Sequence, residues 1–297
     1  MNTNKPYIEF RKNSDFSGIL TDTFGFIRNE FKPFTKSIFN IAGPAILVFM
    51  LSLAVYNYVA GDIFDFTNYE QPGFNGSSVM LTLIAAIVYL LSAIAAYIFT
   101  GASALYYIKS YVDNKGNTDI LEIKKNVYRS FWSFFGIGFL KGMTLLVAIC
   151  LCFLPVFYAM VPMAIVFSIY VFEPRQSTTD AYSKSFNLVN VDFWTAFGTY
   201  IVLFIIFYIL SFVFAIPSAI YTLIGTGIFS GEVDPANMND FYQDPILILL
   251  NVLNTFFQFF LNIILVVGGA AIYFHLHEKA NFTGTYERIS EIGKTED

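Results

Sequence analysis

Charge is what this sequence has least of. Asp, Glu, Lys and Arg make up 13% of its 297 residues, about half the share found in soluble domains. With 56% hydrophobic residues and uncharged runs longer than a bilayer needs, that shortage excludes an ordinary soluble domain. The net charge is −5, and no nucleic-acid partner is expected. Cysteine is scarce as well. Cys150 and Cys152 are the two; two positions apart on a helix they point to different faces, so no disulfide is expected and both read as small apolar side chains. There is no Gly-rich phosphate loop, nucleophile elbow, HExxH or CxxC pair, which leaves no catalytic residue to nominate and no cofactor to expect. The first 35 residues hold no signal-peptide core, so the N-terminus is expected to stay uncleaved in the cytoplasm.

What is present is a repeat. Phe131-Trp132-Ser133-Phe134-Phe135-Gly136 returns 62 residues on as Phe193-Trp194-Thr195-Ala196-Phe197-Gly198. The same offset carries Val127 onto Val189, Ser130 onto Asp192 and Pro155 onto Pro217. Ser and Asp cap helix N-termini. Trp favours a boundary that is apolar on one edge and wet on the other. The recurring unit is a polar amphipathic segment, a cap, Phe-Trp at a membrane boundary, a long apolar helix and a proline. Trp132 and Trp194 are therefore expected to be interfacial anchors at equal depth.

Along the chain, residues 1–14 are polar and expected to be poorly ordered, apart from Tyr7, Ile8 and Phe10. Asp15 then offers an N-cap. Phe16, Ile19, Leu20, Phe24, Ile27, Phe31 and Phe34 follow at steps of mostly three and four, which predicts a surface helix over 15–35. Residues 37–61 carry no charge and suffice for one crossing; Gly43-Pro44 should kink it or mark its first turn. Residues 77–108 form a second uncharged run, about 48 Å long as a helix against a hydrocarbon core of about 30 Å, so it should tilt or project. A basic amphipathic segment over 109–130 leads into the first Phe-Trp. The 43 residues between Arg129 and Glu173 contain one charge, Lys141. They fit two crossings turning at Leu154-Pro155. A third cytoplasmic segment reaches Asp192, a crossing runs from Phe193 to about 216 and breaks at Pro217, and a last crossing covers 245 to about 274.

The cations set the orientation. Lys and Arg number six in residues 1–36, five in 109–129, one at 141, two in 175–184 and three after 278. The loops at 60–77 and 225–245 hold none, but carry Asp62, Asp65, Glu70, Glu232, Asp234, Asp240 and Asp244. With six crossings every loop cation falls on one side, which the positive-inside rule makes cytoplasmic. Five crossings would export Arg175, Lys184 and the basic tail. The expectation is an all-α polytopic membrane protein: six transmembrane helices as three parallel hairpins, each preceded by a cytoplasmic interfacial amphipathic helix. As one transmembrane domain over 1–297 it divides into 1–112, 113–174 and 175–279, with a tail over 280–297. Both termini are expected in the cytoplasm.

The strongest polar signal is Asn251, Asn254, Gln258 and Asn262, spaced three, four and four. They share about 80° of one helix face, with Gly269 on it too. Amides in hydrocarbon need partners, so this face should look into the bundle. Interhelical hydrogen bonding is the plainer reading; a lining for a substrate or lipid headgroup is the sharper one. Lys141 should snorkel or pair with carbonyls, or else meet an anionic lipid phosphate. His275 and His277, two apart, are poor joint metal ligands and read as ordinary interfacial histidines. The acidic outer loops do not match a calcium loop, so no metal site is expected. The sequons at Asn75 and Asn281 are weak.

The run from Ala181 to Ile216, with Ser183, Ser185, Phe186, Phe193, Trp194, Phe197 and Gly198, resembles the membrane domain attached to some glycerophosphodiester phosphodiesterases. Tyr7-Ile8-Glu9-Phe10-Arg11-Lys12 and Asp22-Thr23-Phe24 resemble uncharacterised six-helix inner-membrane proteins of Bacteroidetes type. The phosphodiesterase catalytic domain is missing, so that activity does not carry over. The resemblance implies a bacterial inner-membrane protein with no catalytic residues to transfer. The expected role is a non-enzymatic subunit or scaffold that binds partner membrane proteins or lipids. A small transporter of lipid-like or small polar cargo is the second expectation, and an intramembrane enzyme the third.

Overall fold

The computed structural model describes residues 7–61, 76–151, 154–173, 176–227, 241 and 243–282. Among the described residues the secondary structure is helical, in seven segments: α1 (Phe16–Gly61), α2 (Gly76–Asp113), α3 (Ile120–Cys150), α4 (Leu154–Phe172), α5 (Thr178–Val189), α6 (Phe193–Gly225) and α7 (Pro245–Asn281). All except α5 are long and apolar enough to cross a membrane. A helix pairs its backbone groups within one segment, which hydrocarbon demands.

Side chains start the three stretches that the sequence reads as amphipathic. Asp15 Oδ1 accepts the Gly18 N–H at 2.9 Å. Asp119 Oδ1 accepts from Leu121 at 2.9 Å and Glu122 at 3.3 Å. Ser177 and Asp180 form a reciprocal capping box at 3.1 and 3.3 Å. Each cap satisfies N–H groups that the first helical turn leaves without partners.

Several boundaries differ from the sequence expectation. The surface helix over 15–35 and the first crossing are one unbroken helix, α1, of 46 residues. It runs through Pro33, Gly43 and Pro44, since a proline removes one backbone bond and a long helix retains the rest. The second amphipathic segment is likewise continuous with its crossing in α3. Only the third stands apart, as α5. It closes where the Val191 and Asp192 N–H groups bond back three residues to Leu188 and Val189. Pro217 does not end α6, which continues to Gly225. Hydroxyls donate to carbonyls beside it, Ser218 to Ala215 at 3.0 Å and Thr222 to Ser218 at 2.8 Å. The last helix continues past 274 to Asn281. The turn at Leu154-Pro155 matches: α3 ends at Cys150, α4 starts at Leu154, and Pro155 lies in its first turn. Asp62, Asp65, Glu70, Asn75, Cys152, Glu232, Asp234, Asp240 and the tail beyond Phe282 lie outside the described residues.

The chain forms two compact units, one of 1–41, 98–207 and 263–297, the other of 42–97 and 208–262. The first holds an aromatic core. Phe26 meets Phe10 at 5.3 Å, Phe34 at 5.4 Å and Tyr111 at 5.1 Å, and Phe274 meets Phe10 at 5.6 Å and Phe172 at 4.6 Å. The segment before α1 is tied into this core. The Ile8 N–H donates to Tyr111 Oη at 2.9 Å and Arg11 pairs with Asp113 at 2.9 Å. In the same unit α3, α4 and α5 pack on one another. Phe134 meets Tyr170, and a Cβ on Gly138 would reach Phe167, so α3 and α4 run antiparallel.

The second unit pairs the remaining parts of α1 with α2 and of α6 with α7. Ser52 bonds Ser92 at 2.6 Å and Tyr56 stacks on Tyr89 at 5.3 Å. Phe214 stacks on Phe257 at 4.3 Å. Lipid tails are as apolar as Leu, so burial from water does not draw these helices together; close packing and such polar ties do.

Candidate functional site: a polar junction and an amide row

The repeat read from sequence is a repeat in geometry. The Trp132 ring stands edge-on to Phe131 at 5.5 Å and to Phe135 at 6.0 Å. Trp194 does the same with Phe193 at 5.3 Å and Phe197 at 6.2 Å. Both indoles are largely exposed, at 76% and 78%. The glycine of each motif faces the first residue of another helix. A Cβ at Gly136 would lie 3.4 Å from the Thr178 methyl that opens α5, and one at Gly198 would lie 3.7 Å from the Phe16 ring that opens α1.

Within the same unit, carboxylates tie helix ends together. Asp192, just before α6, accepts from Lys279 Nζ at 2.6 Å and lies 3.2 Å from His275 Nε2. The Thr195 side chain also bonds to it. Burial pushes the Asp192 carboxyl up, but the bonds from Lys279, Thr195 and His275 outweigh that and lower it to about 2. His275 is therefore not a surface histidine: it is 3% exposed, because Asp192 provides a partner inside the helix packing. Glu173, at the end of α4, is 7% exposed, pairs with Lys184 of α5 and accepts from Gln176 at 3.0 Å. Lys109 of α2 donates to the Val171 carbonyl of α4 at 2.7 Å.

Sequence reading missed this junction. It compared His275 with His277, which diverge, and not with Lys279, one turn on and on the same face. His277 instead lies 5.5 Å from the Tyr273 ring. Nothing in the local sequence says that Asp192 and Lys279 meet. A His–Asp pair can orient a general base, but the second nitrogen of His275, Nδ1, is buried without a hydrogen-bond partner. The contact that the described residues show here is an ionic tie between Asp192 and Lys279. Among the described residues no group of three His, Cys, Asp or Glu side chains is arranged to hold a metal.

The amide row lies in the second unit, on α7. The buried part of α7 lies further on, over 263–276 in the first unit; within 251–262 every side chain is half-buried or exposed. Asn251, Asn254, Gln258 and Asn262 are all half-buried. Gln258 donates to Asn254 Oδ1 at 3.1 Å, one turn away on the same helix. Lys141 of α3, in the first unit, holds Nζ 5.6 Å from the Phe167 ring of α4, an attraction between a cation and an aromatic face. A cavity of about 140 Å³ between the end of α2 and the start of α3 is lined by Lys109, Asp113, Asn114, Glu122 and Asn126 among others. Lys109 and Asp113 are already engaged, by the Val171 carbonyl and Arg11.

Six helices of this length and hydropathy make the chain an integral, multi-pass membrane protein. No known protein family, curated protein or solved structure matches it.

Proposed function

We propose that the protein is a non-enzymatic subunit or scaffold of a bacterial cytoplasmic membrane, built as three parallel hairpins with both termini in the cytoplasm, and that it binds partner membrane proteins or lipids. The resemblance to six-helix inner-membrane proteins of Bacteroidetes type belongs to the same proposal. The observation that carries it is where the polar side chains go. Ser52 meets Ser92, Thr144 meets Tyr182 at 2.7 Å, Lys109 meets the Val171 carbonyl, and Asp192 meets His275 and Lys279. Each of these joins two helices. Polar groups used as struts favour a holding role over a moving one. Purification of the full chain in mild detergent, with mass spectrometry of what comes with it, tests the reading. A stoichiometric membrane-protein or lipid companion supports it. Cargo uptake by vesicles containing the purified chain alone would overturn it.

One observation favours the transporter reading. Asn251 and Asn262 are half-buried, and among the described residues no side-chain partner meets them. Amides left without partners suit a polar lining.

A further inference from the structure

The first three turns of α3 carry one exposed face of unusual make-up. Leu121, Lys124, Lys125, Tyr128, Arg129 and Trp132 are all exposed. Their steps of three, one, three, one and three place them within about 140° of the helix circumference. No ion pair joins Lys124, Lys125 or Arg129 to a carboxylate among the described residues. Glu122, the nearest acid in sequence, lines the cavity beside α2. The same face continues up the helix as exposed Phe135, Phe139, Met143 and Leu146. Lys141 is off this face, over the Phe167 ring.

We infer that this face is a binding site for an anionic phospholipid. The order along the helix is that of the lipid itself. Three cations stand where a phosphate headgroup lies, Tyr128 and Trp132 stand at the boundary, and an apolar strip follows for the acyl chain. Charge complementarity picks the class of lipid. Each Lys or Arg near an anionic surface adds to the attraction, and three act together within one Debye length.

The repeat supplies an internal control. Carried 62 residues on, Leu121, Lys124, Lys125, Tyr128 and Arg129 become Ser183, Phe186, Asn187, Asn190 and Val191. The Phe-Trp that follows is the same, but none of those positions is charged. Among the described residues, the cations near Trp194 are engaged within the protein, Lys184 by Glu173 and Lys279 by Asp192. The two Phe-Trp motifs thus share an anchor and differ in headgroup preference. This deepens the proposed role by naming one lipid class.

The protein has two tryptophans, so each motif can report alone. The full-length chain goes into vesicles containing either brominated phosphatidylglycerol or brominated phosphatidylcholine. Trp194→Phe leaves Trp132 as the reporter, and Trp132→Phe leaves Trp194. Quenching of Trp132 is expected to favour the anionic lipid roughly threefold or more at low salt. That preference should vanish at 1 M salt, where screening reaches about 3 Å. It should also vanish in Lys124→Gln/Lys125→Gln/Arg129→Gln, while Trp194 quenches equally with both lipids. Equal quenching of Trp132, or a preference that survives both high salt and the triple substitution, overturns the proposal. Failure of either lipid to quench Trp132 means protein covers the face; that also overturns the lipid site and leaves the scaffold reading standing.

Discussion

Asp192 and Lys279 stand 87 positions apart in sequence and 2.6 Å apart in space. The contact joins the start of α6 to the last turn of α7, with His275 on the same carboxylate. Asp192→Asn keeps the side chain's shape and removes the charge. The variant should lose about 1–2 kcal/mol of stability at neutral pH, after allowing for solvent screening, read as a lower Tm in detergent. The pH dependence has a definite sign. The folded carboxyl is held below its ordinary 3.8, at about 2. Its contribution is therefore full above 3.8 and is lost as the pH falls through about 2. The gap between wild type and variant should narrow as the pH falls below 3.8 toward about 2. A gap that stays undiminished down to pH 2 would show that the charge is not what stabilises the contact.

Two neighbouring glycines of α7 should differ in what they tolerate. A Cβ at Gly269 would come within 2.6 Å of the Ala164 carbonyl oxygen of α4, and backbone cannot step aside. A Cβ at Gly268 would meet Cδ1 of Leu203, the movable end of a side chain. Gly269→Ala should cost about 1–3 kcal/mol, as overpacking does. Gly268→Ala should cost less, and Leu203→Ala should relieve it. Thermal unfolding of the three variants decides the matter; equal losses at both glycines would refute the close approach of α4.

These cases mark what was legible in the sequence. The six long helices followed from uncharged length, and the turn at Leu154-Pro155 from a run too long for one crossing. The Phe-Trp repeat carried its ring geometry with it because the spacing of one and three residues is local to a helix. Pro217 misled because its penalty is one backbone bond, which nearby hydroxyls soften. The fusion of the surface segment with the first crossing in α1 was hidden for a related reason. A change from amphipathic to fully apolar looks like a boundary, yet the backbone has no need to break there. The Asp192 junction was illegible because both partners are common residue types, and only tertiary packing brings them together.

The positive-inside reading makes a topology prediction. In a background of Cys150→Ser and Cys152→Ser, single cysteines at positions 70 and 234 should react with an impermeant thiol reagent in intact cells. Cysteines at 115 and 290 should react only after permeabilisation. Lys115 is a good probe because it sits in the turn between α2 and α3, at φ 47, outside both helices. Labelling of position 115 in intact cells would reverse the orientation and remove the basic face of α3 from the cytoplasmic leaflet.

The amide row separates the two readings of the protein. Gln258 and Asn254 are bonded to each other along α7, so replacing either by Leu leaves its half-buried partner's amide unmet. The loss should be small, about 0.6 kcal/mol, as hydrogen bonds inside membranes measure. A double substitution, Asn254→Leu/Gln258→Leu, should cost less than the two single changes added together, because it removes both partners at once. Asn251→Leu and Asn262→Leu remove amides that no described side chain meets, and these should leave stability unchanged or raise it. If the row only packs helices, this asymmetry between the inner pair and the outer pair is the whole effect, and copurifying companions are unaffected. If the row lines a path for cargo, all four changes act alike on flux, whatever they do to Tm. Thermal unfolding and vesicle uptake on the same four variants distinguish the cases. Equal loss of uptake across all four, with stability intact, would overturn the scaffold.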